Sequence, residues 1–253
     1  MNAQLDFGYP WWLSYGHLLL TAILVCVLLI GRWRKWRVWS LLPLIVLTLW
    51  TAAGFAVMRF VLDLNGRAAM PTDNFFRPGT GRVLDIGAGT GRSSIMVLEA
   101  RPQATLVASD QFGRSYEQHF GKGLSPQDRL RANLEAAGVA NRASVQQADM
   151  RKMPFANAEF NAAVSCYAMD HLNREGIDRA LSETARVVEP GGEFLLVLIH
   201  PDAWLKFAFG PLLLHGHTRG ADWWSQQLSR AGFQVLEHGT RPGTLYLVSR
   251  RLQ

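Results

Sequence analysis

The sequence contains an acidic residue followed by three alternating glycines, in the segment Asp85-Ile86-Gly87-Ala88-Gly89-Thr90-Gly91. The apolar run before the glycines, Arg82 to Ile86, predicts a buried strand, and the pair Ser93-Ser94 after them predicts the start of a helix. Glycines at such a turn let the backbone approach a ligand that a Cβ atom would block. The spacing D-x-G-x-G-x-G differs from the G-x-G-x-x-G of dinucleotide-binding proteins. The segment therefore indicates a cofactor site and disfavours a nicotinamide cofactor.

Two more carboxylates follow strand-like runs further along the chain. Asp110 ends the run Ala104–Asp110, about 20 residues past the glycines, where an acidic residue can accept hydrogen bonds from both hydroxyls of a ribose. Asp149 follows the run 143–147, where its carboxylate can accept from an exocyclic amine. Ligands of open α/β sheets bind outside the carboxyl ends of the strands. Asp85, Asp110 and Asp149 together therefore predict a single site.

Strand-like and helix-like segments alternate from residue 82 onward. The predicted strands are Arg82–Ile86, Ala104–Asp110, Ala143–Gln147, Phe160–Cys166, Gly192–Ile199, Phe233–His238 and Thr244–Arg250. The predicted helices are Ser93–Ala100, Pro126–Ala137, Arg174–Val188 and Ala221–Ala231. This order predicts an α/β fold with a Rossmann-like, seven-stranded, mostly parallel sheet. The last two strands are joined only by a turn, so they are expected to form an antiparallel hairpin at one edge.

From about Gly81 onward the chain resembles the class I S-adenosylmethionine-dependent methyltransferases, of the type found in quinone biosynthesis. The matching segments are Val83–Gly91, Ala148–Met150 with Met153–Phe155, Phe160–Ser165 and Glu183–Gly192. Their order over roughly the last two thirds of the chain makes the resemblance specific. The chain has Phe160-Asn161 where the family commonly has Phe-Asp, which is a change at a predicted structural position.

The resemblance implies S-adenosylmethionine as the cofactor. The residues it assigns to cofactor binding are Asp85, Gly87, Ala88, Gly89, Gly91, Asp110, Gln111, Asp149, Met150 and Ser165. The glycine backbone would pack against the methionine and ribose parts of the cofactor, and Asp85 would orient that loop or the methionine amino group. Asp110 would hold the ribose hydroxyls, and Asp149 with the Met150 backbone would read the adenine.

Methyl transfer from a sulfonium is an in-line displacement that depends on positioning and on exclusion of water. A base is needed only when the acceptor must lose a proton. The candidates follow the fourth and fifth predicted strands, and they are Cys166, Tyr167, Asp170, His171 and His200. Helix-start capping and interface packing are the alternative explanations for Asp170 and His171.

Two runs near the N-terminus contain no Asp, Glu, Lys or Arg: Trp11 to Ile30, with 20 residues, and Val38 to Met58, with 21. Each is long enough to cross a hydrocarbon core of about 30 Å. A buried core helix or a signal peptide is the alternative, but two adjacent runs without a small-residue cleavage site argue against both. We therefore expect a membrane anchor over residues 1–60, a connector over 61–81 and the methyltransferase domain over 82–253.

The linker between the two runs, Gly31 to Trp39, interleaves four cations with three tryptophans, a composition that suits a membrane–water interface. Residues 1–60 contain five basic residues and one acidic residue, so most of the net charge of +6 belongs to this end. The small remainder does not support a nucleic-acid partner. The expected partners are membrane lipids and a lipophilic small molecule, and the sequence does not predict an oligomeric state.

Four further features are less decisive. His215-Gly216-His217 lacks the additional ligands of a metal site, so no metal is expected. Cys26 and Cys166 are poorly placed to pair. The segment Trp204 to Leu214 is strongly apolar for a loop after a strand, which indicates core packing, a substrate lid or a surface that dips into the bilayer. The segment Gln111 to Leu124, with its aromatic residues Tyr116, His119 and Phe120, could cover the cofactor or shape the substrate entrance.

The sequence thus predicts a membrane-anchored methyltransferase that acts on a small lipophilic or membrane-resident acceptor. A cofactor-binding membrane scaffold without turnover is the alternative, and a nicotinamide-linked reductase is disfavoured further by the lack of a Tyr-x-x-x-Lys pair. The expected location is the bacterial inner membrane, with the domain facing the cytosol where the donor is found. The basic linker predicts the opposite orientation for two full crossings. A second run that re-enters the membrane would resolve that conflict, as would a failure of the charge rule.

Overall fold

The computed structural model describes residues 5–113, 125–210 and 219–253. These residues form two compact units. The described part of the first unit comprises residues 5–8, 67–113, 125–200 and 219–253, and that of the second comprises 9–66 and 201–210. The chain therefore runs from the first unit into the second and back, and does so twice.

The first unit contains a single seven-stranded sheet among its described residues. The strands are β1 (Gly81–Ile86), β2 (Ala104–Asp110), β3 (Ala143–Gln147), β4 (Phe160–Cys166), β5 (Val188–Ile199), β6 (Phe233–Arg241) and β7 (Thr244–Arg251). Their order across the sheet is β3-β2-β1-β4-β5-β7-β6. The first five strands are parallel, and β7 pairs antiparallel with both β5 and β6. The prediction of a mostly parallel α/β sheet with an antiparallel edge hairpin is confirmed.

Helices cover this sheet, and their apolar faces complete the core. They are α3 (Arg92–Ala100), α4 (Pro126–Ala136), α5 (Arg174–Val187) and α7 (Ala221–Arg230). On one face, Leu84 and Leu196 of the sheet pack in a cluster that includes Ile177 of α5 and Trp224 of α7, all nearly inaccessible to solvent. Because this core is closed, the polar residues at the carboxyl ends of the strands are held on a rigid platform.

Two boundaries differ from the predicted ones. Strand β5 begins at Val188, which pairs with Phe160, and a register shift lets Glu193 pair with Ala162. The Pro190-Gly191 pair is therefore an irregularity inside the strand, where Gly191 takes a φ of 80°, and does not precede it. The connection between β6 and β7 is shorter than expected, because Gly239 still pairs with Tyr246.

The second unit is built on two long apolar helices. α1 spans Trp11–Trp33, and α2 spans Val38–Ala56 and continues as a π-helix over Val57–Leu62. Both are long and apolar enough to cross a membrane, judged by length and composition. The helices pack on each other through polar as well as small residues, since Thr21 donates to Thr51 at 2.9 Å and His17 lies against Gly54. A short helix, α6 (Ala203–Phe209), belongs to the same unit.

Candidate functional site

The glycine turn joins the end of β1 to α3 and is held by the neighbouring strand. The backbone N–H groups of Gly87 and Ala88 both donate to the Ser109 carbonyl of β2, at 2.8 and 3.0 Å. The N–H of Gly91 closes the turn by donating to the Ala88 carbonyl at 2.8 Å. All three glycines have a positive φ, between 53° and 90°, a conformation that side chains with a Cβ disfavour.

Gly87 and Gly89 are required for different reasons. A Cβ on Gly87 would lie 2.4 Å from the Cβ of Ala168 and 3.3 Å from the methyl carbon of Met150. A Cβ on Gly89 would meet no atom within 4 Å. Gly87 is therefore a packing residue that brings the loop after β3 and the loop after β4 against the turn, whereas Gly89 faces open space.

Asp85 is fully buried at the end of β1. Its Oδ2 accepts hydrogen bonds from Ser93 at 2.7 Å and from Ser94 at 2.6 Å, both at the start of α3. Removal from water raises the pKa of Asp85 to about 6, against the lowering effect of the two serine hydroxyls, and the nearby Asp110 adds a smaller increase. Its Oδ1 is buried and has no hydrogen-bond partner among the described residues. Asp85 thus fixes the turn with one oxygen and presents a second that is unpaired.

Asp110 connects the end of β2 to the glycine turn. Its Oδ2 accepts from the Gly89 N–H at 2.9 Å, and its Oδ1 accepts from the Phe112 N–H at 2.9 Å. A carboxylate has about four lone-pair positions, so this half-buried side chain can accept further hydrogen bonds. The neighbouring Gln111 is exposed, and its carbonyl accepts from Gln147 at 3.0 Å.

Asp149 follows β3, as predicted, but its carboxylate is already engaged. The Arg151 guanidinium donates to both of its oxygens at distances from 2.7 to 3.1 Å, and hydrogen bonding to Arg151 holds the pKa of Asp149 below its usual range. Met150 is half-buried against the core and reaches Gly87. The structure thus brings Met150 to the turn and gives Asp149 a local partner that the sequence reading did not foresee.

Ser165 and Cys166 lie at the end of β4 in buried surroundings. The Ser165 hydroxyl is buried and donates to the Ile86 carbonyl at 2.8 Å, which ties β4 to β1 beside the turn. Removal of the Cys166 thiol from water raises its pKa well above the usual range, and the Asp85 and Asp170 carboxylates add to the effect. Cys166 is therefore a neutral thiol at physiological pH and is a poor candidate for a base.

The other candidate bases lie at the carboxyl ends of β4 and β5. Tyr167 has a φ of 53°, and its hydroxyl shares a 2.7 Å hydrogen bond with Thr244. Asp170 accepts from the Ile199 N–H at 3.4 Å through Oδ2, while its buried Oδ1 has no hydrogen-bond partner among the described residues. His171 is exposed. His200 is half-buried, and its backbone N–H donates to the Gly243 carbonyl at 2.9 Å. Their catalytic roles stay predictions.

Asn133 of α4 is a residue that the sequence reading missed. It is buried, its Nδ2 donates to the Thr90 carbonyl within the glycine turn at 2.9 Å, and it also bonds the backbone of Asp6. The available signal was an asparagine between the apolar positions Leu130 and Leu134 of a predicted helix, where a buried amide needs partners.

Residues 83–192 match the family model of a methyltransferase domain. This part of the chain is similar to methyltransferase domains. The curated relatives include an O-methyltransferase from Pyrenophora dematioidea, 29% identical over 68% of this chain and 61% of its own length. A ubiquinone/menaquinone biosynthesis C-methyltransferase from Desulfotalea psychrophila is 28% identical over 54% of this chain and 52% of its own length. The chain therefore spans less than two thirds of the relatives it matches.

Solved methyltransferases share the fold of the domain. The S-adenosylmethionine-dependent methyltransferase SibL superposes with a TM-score of 0.55 at 18% identity, covering 83% of this chain and 59% of that one. An O-methyltransferase family protein from Burkholderia thailandensis also gives 0.55, at 14% identity, covering 81% of this chain and 59% of that one. These similarities together imply S-adenosylmethionine as the cofactor.

Two observations indicate that the glycine turn can hold S-adenosylmethionine. Gly89 leaves open space where a side chain would project, and Asp85 keeps a buried, unpaired oxygen in the described surroundings. S-adenosylmethionine carries an ammonium and a sulfonium, and a carboxylate complements such cations. Asp110 retains acceptor capacity at the same turn. The assignment of individual residues to parts of the cofactor stays a prediction.

Some predicted features lie outside the described residues. They are Tyr116, His119, Phe120 and the His215-Gly216-His217 segment. Over residues 5–113, 125–210 and 219–253, no group of three or more His, Cys, Asp or Glu side chains is arranged to hold a metal ion.

Proposed function

We propose that this protein is a membrane-anchored, S-adenosylmethionine-dependent methyltransferase that acts on a small lipophilic or membrane-resident acceptor. One observation carries the proposal: a methyltransferase domain shares its chain with two apolar helices of membrane-spanning length. An anchored enzyme works in the layer where apolar acceptors concentrate, so the two parts have a common purpose. We place the protein in a bacterial inner membrane with the domain in the cytosol, where the donor is made.

The names of several relatives favour an apolar acceptor. One is a sterol 4-C-methyltransferase from Caenorhabditis elegans, 26% identical over 45% of this chain and 29% of its own length. Others are the quinone-biosynthesis enzyme described above and a demethylmenaquinone methyltransferase from Deinococcus radiodurans, 30% identical over 48% of this chain. Sterols and quinones are both apolar, so the relatives and the helices favour the same class of acceptor.

The residues of the turn bind and orient. In its ionised form Asp85 provides a buried negative charge, and Asp110 fixes the Gly89 N–H while keeping free acceptor positions. The bound cofactor supplies a methyl group activated by its attachment to a positively charged sulfur. The remaining work of the protein is to hold the acceptor in line and to exclude water.

An acceptor that loses a proton needs a base beside the turn. Asp170, His171, His200 and Tyr167 all follow the strand ends on this side of the sheet, and we propose that one of them accepts the proton. Asp170 is favoured by its buried, unpaired Oδ1 in the described part of the chain. His171 and His200 are favoured because an imidazole nitrogen can accept a proton.

The test is transfer of label from the methyl group of S-adenosylmethionine. The full chain in nanodiscs would be incubated with labelled donor and a total membrane lipid extract, and the products separated by mass. We expect a lipid product heavier by one methylene unit with the natural chain and none with Asp110→Ala, which removes an acceptor from the turn. Donor binding without transfer to any lipid would favour the scaffold and contradict the proposed enzyme.

A further inference from the structure

The short helix α6 packs on one end of the apolar helix pair. Ala208 is buried with Val57 and Met58 of the π-helical extension of α2, and Leu13 of α1 packs against the same cluster. The Trp50 indole N–H donates to the Phe207 carbonyl at 3.1 Å, which ties the end of α6 to α2. The chain therefore returns to the helix pair after β5, in the middle of the domain sequence.

A second face of α6, beside the packed one, is apolar as well. Trp204 and Phe207 are three residues apart, on one side of the helix, and they are 45% and 39% exposed. Burying such side chains is favourable by about 25 cal/mol for each Å² of apolar surface. A short helix with one face packed and an adjoining face of exposed apolar side chains is thus poorly suited to water.

The same end of the helix pair carries other exposed aromatic residues. Trp11 and Trp12 at the start of α1 are 61% and 55% exposed, and Phe60 in the π-helical turn is 75% exposed. Lys206 adds positive charge beside them, and Arg59 pairs with Asp63 at 3.0 Å. Tryptophan and cations together are typical of the membrane–water interface, where the rings and the charged ends are both satisfied.

We propose that α6 is an interfacial membrane-binding helix, a third membrane contact in addition to α1 and α2. The proposal rests on the membrane anchoring put forward above. Seven residues rise only about 10 Å, too short to span a bilayer that needs about 20 residues. The helix must therefore lie at the headgroup level, with Trp204 and Phe207 among the acyl chains and Lys206 toward anionic headgroups.

Fluorescence quenching by lipids tests the proposal. Single cysteines at Trp204, Phe207, Leu20 and Gln226 would be labelled with an environment-sensitive dye, in the full chain with Cys26 and Cys166 replaced by alanine. The protein would be placed in vesicles of equal parts phosphatidylcholine and phosphatidylglycerol that carry a spin label near the headgroup or near the chain end. Leu20 lies within α1, and the exposed Gln226 of α7 belongs to the first unit.

We expect the shallow quencher to remove about half of the emission at positions 204 and 207. The deep quencher should act most strongly at position 20, and neither should act at 226. Quenching at 20 without quenching at 204 and 207 would overturn the interfacial helix and leave the anchor intact. Lack of quenching at 20 as well would overturn the anchor itself.

Discussion

Asn133 and Asp6 are joined by a reciprocal pair of hydrogen bonds. The Asp6 N–H donates to Asn133 Oδ1 at 2.8 Å, and Asn133 Nδ2 donates to the Asp6 carbonyl at 2.8 Å. The following residue, Phe7, is almost fully buried. The segment that precedes α1 is therefore part of the methyltransferase unit, as is the chain that follows the second apolar helix from Arg67 onward.

This relationship predicts the membrane topology. The chain enters α1 from the first unit and returns to that same unit after α2. The two helices must therefore either both cross the membrane or both remain on one side. A single crossing with a re-entrant second helix would separate Asp6 from Asn133. We expect Asp6→Cys and Gln253→Cys to be labelled by an impermeant maleimide only after cells are permeabilised, and Lys35→Cys to be labelled in intact cells.

Each outcome of that labelling has a distinct meaning, in a background with Cys26 and Cys166 replaced. Labels on residues 6 and 253 from opposite sides would contradict the shared-unit argument. Labels on both from outside would preserve it and contradict a cytosolic domain. The expected result also means that the basic linker is external, against the charge rule, because the shared unit keeps both ends of the helix pair on the side where the domain finds its donor.

Asn133 also connects this segment to the glycine turn through the Thr90 carbonyl. Asn133→Ala leaves that carbonyl and the Asp6 backbone without partners, which should cost about 2–4 kcal/mol of stability. It should also loosen the turn and weaken S-adenosylmethionine binding about tenfold, equivalent to about 1.4 kcal/mol. Thermal unfolding and titration calorimetry of the full chain in detergent would measure the two effects.

The matched control for Asn133 is its neighbour Leu134, which is equally buried but has an apolar side chain that cannot donate a hydrogen bond to the Thr90 carbonyl. Leu134→Ala should lower stability by a similar amount, about 2–5 kcal/mol, with little change in affinity. Equal loss of affinity in both variants would show that Asn133 acts only through general stability.

The part of the fold that was predictable from sequence depends on local signals. The strands β1 and β2 read as apolar runs, and the glycine turn after β1 requires φ values that few other residues adopt, so their positions follow from neighbouring residues. The Asn133–Asp6 pair joins residues 127 positions apart, and no local pattern indicates such a contact. The packing of α6 on the apolar helices was left open for the same reason, as one of three explanations for a single apolar segment.

In the candidate site, too, some features could be predicted from the sequence and others could not. Asp85, Asp110 and the glycines could be placed because strand ends meet at one edge of a parallel sheet. The pairing of the Asp149 carboxylate with Arg151 could not be predicted, because it depends on the course of the loop between β3 and β4. The sequence also contained no measure of how far burial would shift the pKa of Asp85, because burial depends on the complete packing.

Gly89→Ala should separate binding from folding. The new Cβ would meet no protein atom, so the only cost to folding is the left-handed backbone, about 1–2 kcal/mol. If the cofactor packs on this turn, the methyl group would occupy its space, and binding should fall at least about tenfold, or 1.4 kcal/mol. Calorimetric affinity and thermal unfolding of the purified full chain would report the two quantities separately.

Gly138 provides a matched control for that substitution. It also has a positive φ, 72°, it lies just past the end of α4, and a Cβ there would likewise meet nothing within 4 Å. Gly138→Ala should therefore lower stability as much as Gly89→Ala and leave the affinity unchanged. Equal affinities for the two variants would argue that the cofactor does not approach Gly89.

Asp85 should make both stability and cofactor affinity depend on pH. Its pKa is 3.8 in the unfolded reference and about 6 in the folded chain, so the folded state binds the proton more tightly. This stabilisation is fully present below about pH 3.8 and is lost as the pH rises to 6, where the loss reaches about 3 kcal/mol. Cofactor affinity should change in the opposite direction, because a cationic ligand favours the ionised carboxylate. The affinity should reach its highest value well above pH 6 and fall below pH 6.

Asp85→Asn keeps the size of the side chain and an acceptor for Ser93 and Ser94 but cannot ionise. We expect it to unfold at a higher temperature than the natural chain at pH 8 and to bind S-adenosylmethionine weakly at every pH, without the inflection near 6. An inflection that persists in this variant would assign the titration to another group, such as a histidine.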